Sequence, residues 1–361
     1  MDFALSPEQL LIKDGVARFA AGDHAGDRWS TFAELGWLAI GAPEDLGGFG
    51  GPLETLLIME QFGRGRVTSA YVAQCVFAGT ILRAAGRSDL LEALIEGRRR
   101  FAVAYEEPHA RGNPAVVAAQ ARTAPDGVRI SGGKTRVLDA GTADTLLVSA
   151  RDGDDVLLAA VPAAAPGVAR VAYPAEDGTD VADIRFDDAL VEEGGVIARG
   201  GDALRILELG FDHAAGAFCA EGLGLMSVML EATVEYAKAR HQFGVPIGSF
   251  QALQHRMAEM FIEVELARSM AYLAATTLDT SDPAERRRGV SAAKVQIAKS
   301  GRFVGQNAIQ LHGGIGMSEE YHVGRYFKRM TMVERLLGDA DFHLARYLPT
   351  APAAAREPAP V

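Results

Sequence analysis

Arg240-His-Gln-Phe-Gly-Val-Pro-Ile-Gly-Ser-Phe-Gln251 separates two long stretches of helical periodicity, and Ala308-Ile-Gln-Leu-His-Gly-Gly-Ile-Gly-Met317 closes a later one. Both segments are rich in glycine where helical patterns stop, which suits backbone that must lie close to a ligand. Arg240 ends an apolar-periodic run through Leu225, Met229, Ala232, Val234 and Tyr236. Its guanidinium can hold a phosphate in bidentate fashion, and Gln242 and Phe243 add an amide and an aromatic plate. That set suits the pyrophosphate and rings of a dinucleotide. Each segment also has a plainer reading. A cation is favoured at a helix C-terminus, Gly-Val-Pro stops a helix, and Gly313, Gly314 and Gly316 serve as a C-cap after a helix over 291–311. Read together, the segments point to a large cofactor.

Working outward, Ser6-Pro7-Glu8 is an N-cap with proline at the first helical position, and apolar residues recur at three and four from there to about Arg99. From Phe101 to about Ala198 the texture changes to short β-branched runs between turn residues. Examples are Val128-Arg-Ile-Ser-Gly-Gly, Thr145-Leu-Leu-Val-Ser, Val156-Leu-Leu-Ala-Ala-Val and Asp183-Ile-Arg-Phe-Asp. The helical period then returns over Phe211–Arg240, Gln251–Leu278 and Asp282–Leu311, and long helices with short loops imply a bundle. The expected fold is α+β and multidomain: an N-terminal helical domain over 1–100, a compact β domain over 101–198 and a C-terminal helical bundle over 199–348. The Pro/Ala-rich tail 349–361 has no apolar period and is expected to be disordered.

With 361 residues, 48% of them hydrophobic, the chain is long enough to bury the cores of two or three domains. A net charge of −11 argues against nucleic-acid binding, which needs clustered Lys and Arg. Cys75 and Cys219 stand in apolar contexts without metal-ligand spacing and read as buried small hydrophobes in a reducing compartment. His109, His213, His241, His312 and His322 are scattered, so no metal site is expected. The N-terminus does not look like a signal peptide and no run of eighteen apolar residues occurs, so no membrane contact and a cytoplasmic location are expected.

These segments carry a resemblance. Taken with Glu34-Leu-Gly-Trp-Leu-Ala-Ile-Gly-Ala-Pro43, Glu44-Asp-Leu-Gly-Gly-Phe-Gly-Gly51 and Glu320-Tyr-His-Val323, the chain resembles an acyl-CoA dehydrogenase from about Met1 to Leu348. The resemblance implies a middle β-barrel-like domain and a C-terminal four-helix bundle. It also implies an FAD enzyme in which a glutamate removes the α-proton of an acyl-CoA thioester, hydride passes to the flavin, and electrons leave through an electron-transfer flavoprotein. Carried over residue by residue, Arg240, Gln242 and Phe243 fall where the family contacts the flavin nucleotide. Gln251 opens the following helix, and Gln310 with Gly313 and Gly314 lies on the loop that reaches a neighbouring subunit's adenosine, which implies a tetramer.

Elsewhere the chain departs from the family. Where members have Thr-Glu-Pro and a small polar turn, it reads Glu106-Glu107-Pro108 and Arg111-Gly112-Asn113. The family's flavin segment, usually Gly-x-Lys-x-Trp-Ile-Thr/Ser, becomes Gly132-Gly-Lys-Thr-Arg-Val-Leu138, with Arg136 for the tryptophan and Leu138, which cannot donate, for the hydroxyl that the resemblance implies should bond the flavin ring. The two family positions for the base fall on Leu337 and Ala214. Among nearby acids Glu334, Asp339 and Glu221, Glu334 is the candidate base if this chain holds one, against a plainer reading as a solvated helix charge. Family members lacking site residues occur as one half of hetero-oligomers in actinobacterial steroid and lipid degradation. The expectation is therefore an acyl-CoA dehydrogenase subunit that lacks the catalytic glutamate and works with a homologous chain in a heterotetramer, or in a homotetramer if a base is present. Alternatives are a structural or regulatory homologue that binds no flavin, and a homomeric flavoenzyme with altered thioester chemistry. The acyl group is not legible, since one methylene is worth only about 1–3 kcal/mol.

Overall fold

The computed structural model describes residues 5–22, 28–318 and 320–350. The tail expected to be disordered lies, apart from 349 and 350, outside the described residues. The chain divides into two compact units, one drawn from Met1–Asp23, Pro52–Val67 and Ala215–Val361, the other from His24–Gly51 and Thr68–Ala214.

In the first unit, α1 (Pro7–Ala21) starts as its sequence predicts. Ser6 accepts from the Gln9 amide, Gln9 reaches back to the Ser6 amide, and Pro7 occupies the first helical turn. The second unit holds α2 (Trp29–Glu34), whereas α3 (Pro52–Gly65) returns to the first. A π-helix over Tyr71–Ala78 then leads into α4 (Gly79–Ala84) and α5 (Ser88–Ile95).

The strands β1 (Phe101–Ala104), β2 (Gln120–Ala124), β3 (Gly127–Leu138), β4 (Thr145–Asp152), β5 (Asp155–Pro162), β6 (Val168–Pro174), β7 (Asp180–Val191) and β8 (Val196–Arg199) form one sheet. Its order is β6-β7-β3-β2-β4-β5-β8, with β1 parallel to β4. Every second residue of β7 from Ala182 to Phe186 turns inward, and Ile184 and Phe186 join Ile130, Leu146, Val148, Leu157 and Val161 in the core. Two irregularities interrupt β3 against β7, between Ile130 and Gly132 and between Lys134 and Val137. The first ends at Gly132 and the second lies within the Gly132–Leu138 segment.

Helix α6 (Gly200–Ala239) begins eleven residues before the first periodic residue, because Gly200-Gly201 reads as a loop. By length and composition α6 could cross a membrane, yet 72% of its most apolar window is buried within the fold, as in a core helix. A short hairpin of β9 (His241–Gln242) and β10 (Val245–Pro246) follows. Then come α7 (Gln251–Leu278), α8 (Pro283–His312, capped by Asp282), α9 (His322–Arg335) and α10 (Ala340–Tyr347). Helices α3 and α6 cross almost backbone to backbone. A Cβ on Gly63 would lie 2.2 Å from the Glu221 carbonyl oxygen, and one on Gly224 would lie 2.1 Å from that of Glu60. Only glycine permits this approach.

Candidate functional site

The two cofactor segments meet at one end of the helical unit. Tyr236, in the last turn of α6, stacks on His312, the last residue of α8, with ring centroids 4.5 Å apart, and Tyr321 lies 4.9 Å from His312. The stack brings the loop after Ala239 and the turn Gly313–Met317 together. Within the loop, Ile247 donates its amide to the Arg240 carbonyl and Phe243 packs edge-on to Phe250. Phe243 takes a left-handed φ of +54° and is 92% exposed, a costly arrangement for a large apolar side chain in water.

Arg240, Gln242, Gln251, Gln310, Gly313 and Gly314 are all exposed as well. Among the described residues no carboxylate pairs with Arg240, and a Cβ at Gly313, Gly314 or Gly244 would meet nothing within 4 Å. The Gln242 amide bonds the His241 carbonyl at 2.9 Å. His312 donates from Nδ1 to the Ala308 carbonyl at 2.7 Å, and burial lowers its pKa. Its place is to hold the two loops together.

The residues at the two base positions are apolar and buried: Ala214 within α6, and Leu337 in the loop between α9 and α10 with a left-handed φ of +56°. That loop is pinned from inside. Lys294 donates to the carbonyls of Val333 (2.9 Å) and Leu336 (2.7 Å), and the His343 Nε2 lies 2.8 Å from that of Leu337. Burial pushes Lys294 down to about 8, against the opposing pull of Cys219, Glu334 and Asp339.

Each of the three candidate acids is engaged. Glu334 lies in the last turn of α9, mostly buried, and is ion-paired with Arg302. Asp339 caps α10 by accepting from the Phe342 amide at 2.9 Å. Glu221 is 5% exposed and bound twice by Arg329, at 2.6 and 2.8 Å, and that guanidinium also lies over the Phe218 ring.

In the β unit, two adjacent acids have different fates. Lys134, fully buried, bonds Glu107 at 2.6 Å, the Ser149 hydroxyl at 3.1 Å and the Tyr105 carbonyl at 3.3 Å. Glu107 also accepts from the Ala118 and Ala119 amides. Burial pushes the lysine down to about 8 and Glu107 opposes it. Glu106 instead pairs with Arg136, which projects from β3 at a left-handed φ of +49°. Burial raises the Glu106 pKa and Arg136 pulls it back. The Arg136 amide donates to Asp183 at 3.0 Å, Tyr173 donates to the same oxygen at 2.9 Å, and the Thr135 amide donates to the Glu106 carbonyl at 2.9 Å. A groove of about 680 Å³ over β3, β6 and β7 runs beside this cluster, with Thr135 and Asp183 in its wall.

Residues 8–97 match the acyl-CoA dehydrogenase N-terminal domain and 203–347 the acyl-CoA dehydrogenase C-terminal domain. Acyl-CoA dehydrogenase FadE27 of Mycobacterium tuberculosis is 30% identical over 88% of this chain and 86% of its own length. The chain belongs to the acyl-CoA dehydrogenase family. Among solved structures, the ChsE4-ChsE5 complex of M. tuberculosis is 28% identical with a TM-score of 0.84, covering 98% of this chain and 100% of the matched one. The Tcur3481-Tcur3483 steroid acyl-CoA dehydrogenase is 29% identical with a TM-score of 0.85, covering 97% and 99%. PigA with FAD and proline is 26% identical with a TM-score of 0.88, covering 97% and 98%. The family consists of FAD-dependent oxidoreductases acting on CH–CH bonds, and the N-terminal helices, central sheet and C-terminal helices follow its fold.

FAD's chemistry tests the two regions separately. At the helical end, an exposed guanidinium, an exposed aromatic plate and open glycine backbone fit a pyrophosphate and an adenine. At the β-unit ring positions they do not fit. The edge of an isoalloxazine presents mainly acceptors, whereas Glu106 and Asp183 when ionised only accept, the Thr135 and Arg136 amides are already used, and the Arg136 guanidinium is held by Glu106. Sequence reading noticed Glu106 and Arg136 one at a time. Their opposite signs at two departures from one pattern were the available signal that they pair. Glu107 and Lys134, which match the family pattern, turn out to be a buried structural pair.

Proposed function

We propose that this chain is the subunit of a heteromeric acyl-CoA dehydrogenase that lacks the catalytic glutamate, and that a homologous partner chain carries the base. The observation that carries the reading is the engagement of all three candidate acids, Glu334 by Arg302, Glu221 by Arg329 and Asp339 in a helix cap, together with apolar, buried residues at Leu337 and Ala214. A general base contributes about 10²–10⁴-fold to such a reaction, or about 3–5 kcal/mol of barrier, so a homomer of this chain would be nearly silent. FAD, when bound, would supply the hydride acceptor for the β-carbon. This chain's part is to hold the nucleotide end with Arg240, Phe243, Gln310 and the Gly313-Gly314 backbone, with Gln242 and Gln251 beside them. A substrate of the CoA thioester class follows from the family. The ChsE4-ChsE5 and Tcur3481-Tcur3483 likenesses support a two-chain assembly, and the second supports a steroid acyl group; an electron-transfer flavoprotein as acceptor and a cytoplasmic location complete the proposal.

The test is co-expression with a homologous chain that has a glutamate at the base position, followed by turnover with an acyl-CoA and an artificial electron acceptor. Turnover in the complex, absent from this chain alone and abolished by Glu→Gln in the partner, is expected. Full turnover by this chain alone, lost on Glu334→Gln, would assign the base to Glu334 instead.

A further inference from the structure

We infer that the β unit of this chain seats no isoalloxazine ring, its ring positions having become a self-satisfied charged clasp, so that flavin occupies half of the chains in the assembly. The inference rests on the heteromeric reading for its stoichiometry, but its geometry lies within one unit. Arg136 and Glu106, the replacements for an aromatic and a hydroxyl side chain, satisfy each other across the segment after β1 and strand β3. Asp183 extends the clasp to β7 by accepting from the Arg136 amide and the Tyr173 hydroxyl. Arg136 adopts a left-handed backbone conformation that costs a side-chain-bearing residue energy, and the bonds to Glu106 and Asp183 offset that cost. A ring laid here would take the ion pair out of water while its acceptor edge offers little to the two carboxylates, a net loss. Leu138, partly buried on the same strand, offers no polar atom in compensation. The neighbouring Glu107–Lys134 pair keeps the sheet in shape, so the change is confined to the surface a ring would touch.

The experiment measures flavin per chain, by absorbance after denaturation, in the complex with the homologous partner and in this chain alone incubated with FAD. It is repeated with Arg136→Gln and Glu106→Gln in this chain. Flavin on half of the chains is expected, with ratio and visible spectrum unchanged by either substitution while the melting temperature moves by a few degrees at most. Flavin on every chain of a complex, or a flavin ratio or spectrum altered by Arg136→Gln at unchanged melting temperature, overturns the clasp and leaves the heteromeric reading standing. A homomer that carries flavin on every chain and turns over an acyl-CoA overturns both. A chain that takes neither partner nor flavin sinks the heteromeric reading and supports the clasp.

Discussion

The end of the helical unit and the β-unit positions where the family pattern meets the flavin ring present opposite chemistry to a flavin. At the first, Arg240, Phe243, Gln310, Gly313 and Gly314 face solvent, and among the described residues no carboxylate competes for the arginine. At the second, a glutamate and an arginine replace the expected side chains and satisfy each other. Open donors cost little at a surface that water or a ligand can satisfy, whereas a paired cluster resists having a ring inserted. The contrast teaches that a family pattern can be kept at one end and replaced at the other, which on the proposed heteromeric reading leaves the kept end to serve another chain's flavin.

The strongest way to break the comparison is to show that the β unit's charged residues serve chemistry rather than structure. Lys134→Met leaves Glu107 buried without its cation. It should cost about 3–5 kcal/mol of stability by chemical denaturation. A stable variant with altered flavin binding would contradict the structural role. At the other end, Arg240→Ala should leave stability nearly unchanged and weaken FAD retention by the complex about 10- to 100-fold, as expected for a charge-assisted phosphate contact. Unchanged retention, measured by flavin release on dilution, would remove the helical end from the cofactor site.

The buried lysine behind the base-position loop sharpens the comparison through pH. Lys294 is held at about 8 in the fold by burial, against about 10.4 in the unfolded chain. Between those values the unfolded state binds more protons, so the contribution of Lys294 to stability rises with pH and is lost as pH falls through the folded value. Relative to Lys294→Met, the wild type should gain about 1 kcal/mol per pH unit from pH 8 to 10. A pH-independent difference between the two unfolding curves would mean that Lys294 is not so depressed. The smallest effect expected is that of Arg136→Gln, whose half-exposed ion pair should be worth no more than about 1 kcal/mol in thermal unfolding.

Much of the fold was legible because its helices are long and their period is clean. The apolar repeat places α7 at Gln251–Leu278, as observed, and puts α8 within one residue at either end. The start of α6 was hidden because glycines at 200 and 201 weigh against a helix locally, and tertiary packing overrides that preference. Strands β2 and β6, Gln120-Ala-Arg-Thr-Ala124 and Val168-Ala-Arg-Val-Ala-Tyr-Pro174, carry too few β-branched or aromatic residues to stand out from coil. They gain strand structure from pairing with β3 and β7.

The site was legible as a set of departures. What the chain lacks at 136, 138, 214 and 337 can be read by comparison with a pattern. What fills the gap depends on contacts between residues 30 or more apart, such as Glu106 with Arg136 and Glu334 with Arg302, which no local rule supplies.

The most direct measurement is the visible spectrum of this chain alone, incubated with FAD and then given an acyl-CoA without oxygen. With its acids engaged and its ring positions clasped, no bleaching of the flavin should occur, although the same addition should bleach the complex with the homologous partner. Bleaching by the chain alone would show a complete active site within its own homomer and would contradict the account at its centre.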